Sequence, residues 1–116
     1  MNIGVVDVHK KALQKRGYKD FNDWLSDPKH CYIGRNVCFV QGTFKSKYAN
    51  PYRVKKYGLE KSLEMYYEDW KDQDLTELKN YTELGCWCID SNVVPTKLED
   101  CRCHGQVLLM ILSNQK

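Results

Sequence analysis

Leu84-Gly85-Cys86-Trp87-Cys88, followed by Cys101-Arg102-Cys103-His104-Gly105 and the apolar run 107–112, is the stretch on which the fold turns. Its first five residues are short and apolar, as a buried strand requires, and the run 105–113 is long enough for a closing helix. A loop over 89–100 joins the two. On a strand, Cys86 and Cys88 share one face and Trp87 takes the other. If 103–105 opens the helix, the cysteines and His104 converge at the strand's carboxyl end, where open parallel sheets bind ligands.

Working outward, Ile3-Gly4-Val5-Val6-Asp7-Val8 is β-branched and apolar, which suits an interior strand. Good helix formers over 10–17 end at Gly17, a C-cap residue. Asp20 is placed to cap a short helical turn carrying Phe21, Trp24 and Leu25. Residues 31–35 read as a second strand, which 37–44 extends or folds back as a hairpin arm. Residues 45–56 read as a loop around Asn50-Pro51. From 59 to 71, Leu59, Leu63, Tyr66, Tyr67 and Trp70 recur at three- and four-residue spacing, the pattern of an amphipathic helix. A short helix fits 76–81. Strands alternating with helices predict a small α/β domain over 1–116, with a mostly parallel sheet of three or four strands flanked by helices.

The 116 residues suffice for one core, and no apolar run approaches the roughly 20 residues of a membrane span. No signal peptide pattern opens the chain, so the expectation is a reducing compartment, no membrane partner and free thiols. The net charge of +3 conceals polarity: residues 1–58 hold 12 Lys/Arg against 4 Asp/Glu, and 59–116 hold 6 against 11. Such a chain either offers a basic face to an anionic partner or folds its halves against each other.

Three readings of the Cys/His cluster stand open. Cys86, Cys88, Cys103 and His104 form a zinc-type donor set, although the one-residue gap is shorter than the usual two to four. Cys103 at a helix N-terminus, with His104 as base, forms a catalytic pair if the protein is an enzyme. Cysteines also pack well in cores, with His104 a capping residue. Elsewhere, Gly34 at a strand end allows close backbone approach, Arg35 can grip a phosphate or carboxylate, and Asn50 can read a polar edge. The plainer reading pairs Arg35 with an acid and leaves Asn50 building the turn before Pro51. Lys45, Lys47, Tyr48, Tyr52, Arg53, Lys55 and Lys56 interleave cations with aromatics, which suits phosphate neutralisation and base stacking.

Five motifs, in this order, resemble the family known as domain of unknown function 4326: Asp7-Val8-His9, Tyr32-Ile33-Gly34-Arg35, Ala49-Asn50-Pro51-Tyr52, Leu84-Gly85-Cys86-Trp87-Cys88 and Cys103-His104-Gly105. The resemblance spans nearly the whole chain. It implies a fold, a set of site positions and a bacterial, phage or large-DNA-virus source, but no reaction. A viral source would place the protein in the host cytoplasm, a viral factory or the virion.

The leading expectation is a binding module for nucleic acid, DNA foremost, or its phosphates. The alternative is an enzyme, or the remnant of one, acting on a nucleotide-like phosphate through Arg35, Asn50 and the Cys/His residues. The third is a virion or assembly protein that forms a homodimer through apolar aromatic surface.

Overall fold

The computed structural model describes residues 3–37 and 40–115. Three short strands, β1 (Gly4–Asp7), β2 (His30–Tyr32) and β3 (Glu83–Cys86), form a parallel sheet in the order β1-β3-β2. Gly4 to Asp7 pair with Glu83 to Cys86, and His30 to Tyr32 pair with Glu83 to Gly85. Helices α1 (Lys10–Lys15) and α2 (Phe21–Leu25) connect β1 to β2. Helices α3 (Val54–Tyr57) and α4 (Leu59–Trp70) lie between β2 and β3, and α5 (His104–Ser113) follows β3. Single 3-10 turns occupy Thr76–Asn80 and Leu98–Asp100. The architecture is α/β, and none of the described helices is long and apolar enough to cross a membrane.

Strand alternation divides the core between the two faces of the sheet. Val5, Leu84, Cys86 and Ile33 join α4 and α5 in the larger core. Val6, Val8 and Tyr32 face Leu13, Phe21 and Trp24 in a smaller one. Helix α5 is buried from Gly105 to Leu112. A helix apolar all round needs cover on every side; here the sheet, α4 and the long β3–α5 connection supply it. Asp20 caps α2 by accepting the Asp23 N–H at 3.0 Å, as its position before Phe21 predicts.

The differences from expectation are local. β2 begins at His30 and ends at Tyr32; Ile33 N–H still donates to the Gly85 carbonyl at 2.9 Å, and the Tyr32 ring then lies over Gly34. The arm expected over 37–44 includes residues 38 and 39, which lie outside the described residues. Its flanks form a turn, in which the Thr43 hydroxyl bonds to Val37 and Val40. The last three residues of the expected 45–56 loop are wound, with Tyr57, into α3, and Gly58, with φ +81°, makes the break before α4.

Glu83 ties the smaller core to the sheet. Trp24 Nε1–H donates to Glu83 Oε1 at 2.8 Å, and Arg16 donates to both carboxylate oxygens at 3.2 and 2.5 Å. Burial alone would raise the Glu83 carboxyl, but the Arg16 and Trp24 hydrogen bonds outweigh it and hold it below its ordinary value. A depressed folded-state pKa stabilises the fold above the unfolded value, and that contribution is lost as pH falls through the folded one. Glu83→Gln is therefore expected to cost about 1–2 kcal/mol at neutral pH and progressively less in acid. Urea unfolding of both proteins at pH 7 and pH 3 checks this; a pH-independent gap would refute it.

Candidate functional site

The site is built where the strands end. β3 stops at Cys86, whose side chain enters the larger core, and Cys88 emerges beyond it on the same side. Cys103 is the N-cap residue of α5, and its sulfur accepts the Gly105 N–H at 3.5 Å. These elements bring the three sulfurs within 4.8 Å of one another, with Cys86 Sγ and Cys103 Sγ 3.0 Å apart. All five described cysteines are free thiols.

His104 opens α5 beside the cluster. Its Nε2 lies 2.8 Å from the Ile33 carbonyl oxygen, which can only accept, so Nε2 carries the proton. Nδ1 is left with a lone pair, 3.8 Å from Cys103 Sγ. The ring packs edge-on against Tyr66, and burial holds its pKa below the ordinary imidazole value.

The thiols are not equivalent. Hydrogen bonds from Cys103 and Cys86 bring the Cys88 thiol down to about 3. Cys86 is pushed up to about 12, in company with the other two sulfurs. Cys103 is pushed upward by its bonds to Cys86 and Cys88 and by burial. Cys103 is enclosed, and the exposed sulfur of the three is that of Cys88.

Cys88 and His104 form one wall of a cleft of about 360 Å³. Gly34 and Arg35 enter it from the end of β2, and Trp87 from the end of β3. Asn50, Tyr52, Arg53, Val54 and Lys55 come from the connection that leads into α3. The floor is pinned by Tyr32, whose hydroxyl accepts from Trp87 Nε1 at 2.8 Å and donates to the Arg35 carbonyl. A Cβ on Gly34 would lie 2.6–2.8 Å from the Tyr32 phenol, so only glycine lets this ring fold back. Three cations line the cleft and no carboxylate does. Among the described residues, Arg35, Arg53 and Lys55 make no ion pair. A larger depression of about 730 Å³, between α4 and residues 97–102, mixes Glu60, Glu64 and Glu99 with Lys97 and Arg102 and holds none of the three clustered sulfurs.

Asn50 both lines the cleft and builds its turn. Its Oδ1 accepts the Tyr52 N–H at 3.0 Å, and its Nδ2 donates to Ser62 Oγ at 2.9 Å. One N–H and one lone pair remain for anything in the cleft.

The basic-aromatic segment does not form a continuous strip. Tyr48 is buried in the larger core, tilted against Trp70, with its hydroxyl bonded to Glu77, so it has no face to offer a base. Lys47 is paired with the same Glu77. Tyr52 is half-buried and donates to Asp69 Oδ2 at 2.6 Å. Lys45 and Lys56 are exposed outside the cleft, with Lys56 over the Tyr57 ring.

The motif Asp7-Val8-His9 at the end of β1 holds a pair to which the sequence assigned no role. His9 Nδ1 lies 2.5 Å from Asp7 Oδ1, and the imidazole stands edge-on to Trp87 with 4.8 Å between centroids. The Asp-x-His spacing at a strand end was the available signal, since residues two apart share a side.

No curated protein and no solved structure matches the chain significantly. One family model does, over residues 16–114, which takes in β2, β3, all of the described cleft residues and the sulfur cluster. The chain therefore belongs to the family described as Domain of unknown function (DUF4326).

Proposed function

We propose that the chain binds a small phosphate-bearing ligand of nucleotide type in the cleft bounded by Arg35, Arg53, Lys55, Trp87 and His104. The observation that carries this reading is the convergence of three unpaired cations on a cleft without carboxylates, at the carboxyl edge of a parallel sheet. Arg35 and Arg53 supply bidentate donors for phosphate oxygens, and Lys55 supplies a point charge. Trp87 and Tyr52 supply aromatic surface for a base. The cleft's volume suits one small ligand and no more.

Calorimetric titration with nucleoside mono-, di- and triphosphates and with pyrophosphate tests the reading. Binding is expected, and Arg35→Ala is expected to weaken it about 10- to 100-fold, the worth of charge-assisted hydrogen bonds. No heat with any of these at millimolar concentration would end it.

Nucleic-acid association is a second reading, favoured by the exposed Lys45 and Lys56, which extend the cationic surface past the cleft. It keeps Arg53 and Lys55 as phosphate contacts and does without Tyr48 and Lys47. Anisotropy with labelled single- and double-stranded DNA separates the two. A log affinity falling linearly with log salt supports the extended surface, and competition by mononucleotide alone supports the cleft.

A further inference from the structure

We infer that Cys86, Cys88 and Cys103 together bind a thiophilic metal ion of the zinc class, at the wall of the cleft. Three thiols on one side of a small domain have no reason from local packing to point their sulfurs at one another. Cys31 and Cys101 show the alternative, since each turns its sulfur to a backbone carbonyl. In a tetrahedral site with metal–sulfur bonds of about 2.3 Å, the sulfurs stand about 3.8 Å apart. Separations running from 3.0 Å to no more than 4.8 Å bracket that spacing, so small side-chain rotations complete the set.

The elements that hold the sulfurs are rigid. Cys86 ends the central strand of the sheet, paired on both sides, and Cys103 is fixed as the cap of a buried helix. Cys88 alone is exposed, and it lines the cleft, so the coordination position away from the buried pair opens there. His104 stands at that opening. The Ile33 carbonyl holds its Nε2–H and keeps the Nδ1 lone pair turned toward Cys103, the arrangement in which a backbone carbonyl orients an imidazole at a metal. The three ligands are thiolates in the bound state, so metal uptake releases thiol protons to solvent. A one-residue gap between Cys86 and Cys88 is short for a structural knuckle. Here it serves because the third sulfur comes from a different element, and the chain need not wrap the ion by itself.

The test is metal stoichiometry of reduced, purified protein after dialysis against zinc, with cobalt substitution as the optical readout. One ion per chain is expected, with thiolate-to-cobalt charge-transfer absorption. Cys88→Ser, Cys86→Ser and Cys103→Ser are each expected to lower affinity at least tenfold, while Cys31→Ser and Cys101→Ser leave it unchanged. Because buried-cysteine variants can fail to fold, the wild type is also alkylated with and without zinc and mapped by mass spectrometry. Zinc is expected to protect Cys88, the exposed member of the set, and to leave the labelling of Cys31 unchanged. Absence of bound metal, or equal alkylation in both samples, would overturn the inference. It does not rest on the phosphate reading: Arg35→Ala weakens ligand binding about 10- to 100-fold if that reading is right, and leaves one metal per chain in either case.

Discussion

Trp24→Ala is expected to cost about 3–5 kcal/mol of stability, close to the whole margin of many small domains. The indole is fully buried and is the largest side chain of the smaller core, which among the described buried residues comprises Val6, Val8, Leu13, Phe21, Trp24 and Tyr32. It lies against the backbone of Gly85, stacks on His30 with 4.7 Å between ring centroids, and bonds to Glu83. Removing it takes away apolar burial, leaves a void that so few neighbours cannot close, and strips one donor from a partly buried carboxylate. Trp24→Phe keeps part of the filling and is expected to cost less. Denaturant unfolding of the three proteins measures this, and a loss below about 1 kcal/mol for the alanine variant would show that the smaller core does not support the sheet.

Gly85→Ala is expected to cost about 1–3 kcal/mol, although the backbone there suits any residue. An added Cβ would lie 2.4 and 2.8 Å from Trp24 ring carbons and 2.8 Å from Val8 Cγ1. Both neighbours are buried and stiff, so the overlap must be relieved by moving the strand or the indole. In a Trp24→Ala background the same methyl is freed from the indole and keeps only the 2.8 Å approach to Val8 Cγ1. There alanine is expected to cost less than in the wild type, because only Val8 has to give way and the reduced freedom of the unfolded chain offsets about 0.4–1 kcal/mol. The double-mutant cycle is thus expected to show a coupling of about 1–3 kcal/mol. Additive effects would mean that the two residues do not contact one another in solution.

These two residues also show which parts of the molecule were readable from sequence. Residues 84–88 declare a strand and 105–113 a helix through composition alone, and the 59–70 periodicity announces α4. From those, the meeting of Cys86, Cys88 and Cys103 and the approach of Arg35, Asn50 and His104 follow once the sheet is parallel. That Gly85 is required by Trp24 is not readable, since nothing local links residues 24 and 85. Tyr48 misled for the same reason. Its neighbours in sequence are lysines and small residues, while its neighbours in space are Trp70, Glu77 and Tyr66. Lys47 counted as free charge until α4 and the turn after it brought Glu77 alongside. The choice between Cys103 and Cys88 as the accessible thiol depended on which sulfur leaves the core. Periodicity places a residue on a face, but it does not say how far the covering helix extends over it.

The central position of β3 bears on how the chain is made. β1 and β2 are synthesised first, yet neither pairs with the other in the sheet: both pair with residues 83–86, and β1 also bridges Ser91. A nascent chain on the ribosome therefore carries two unpaired strands, and no sheet at all, until β3 has cleared the exit tunnel. Loop closure over so much intervening chain slows that step, and apolar edges stay open to other chains while it lasts. Fragments ending before residue 83 are then not smaller versions of the protein but sticky ones, and the chain's demand for chaperones is concentrated in the interval before its last third emerges.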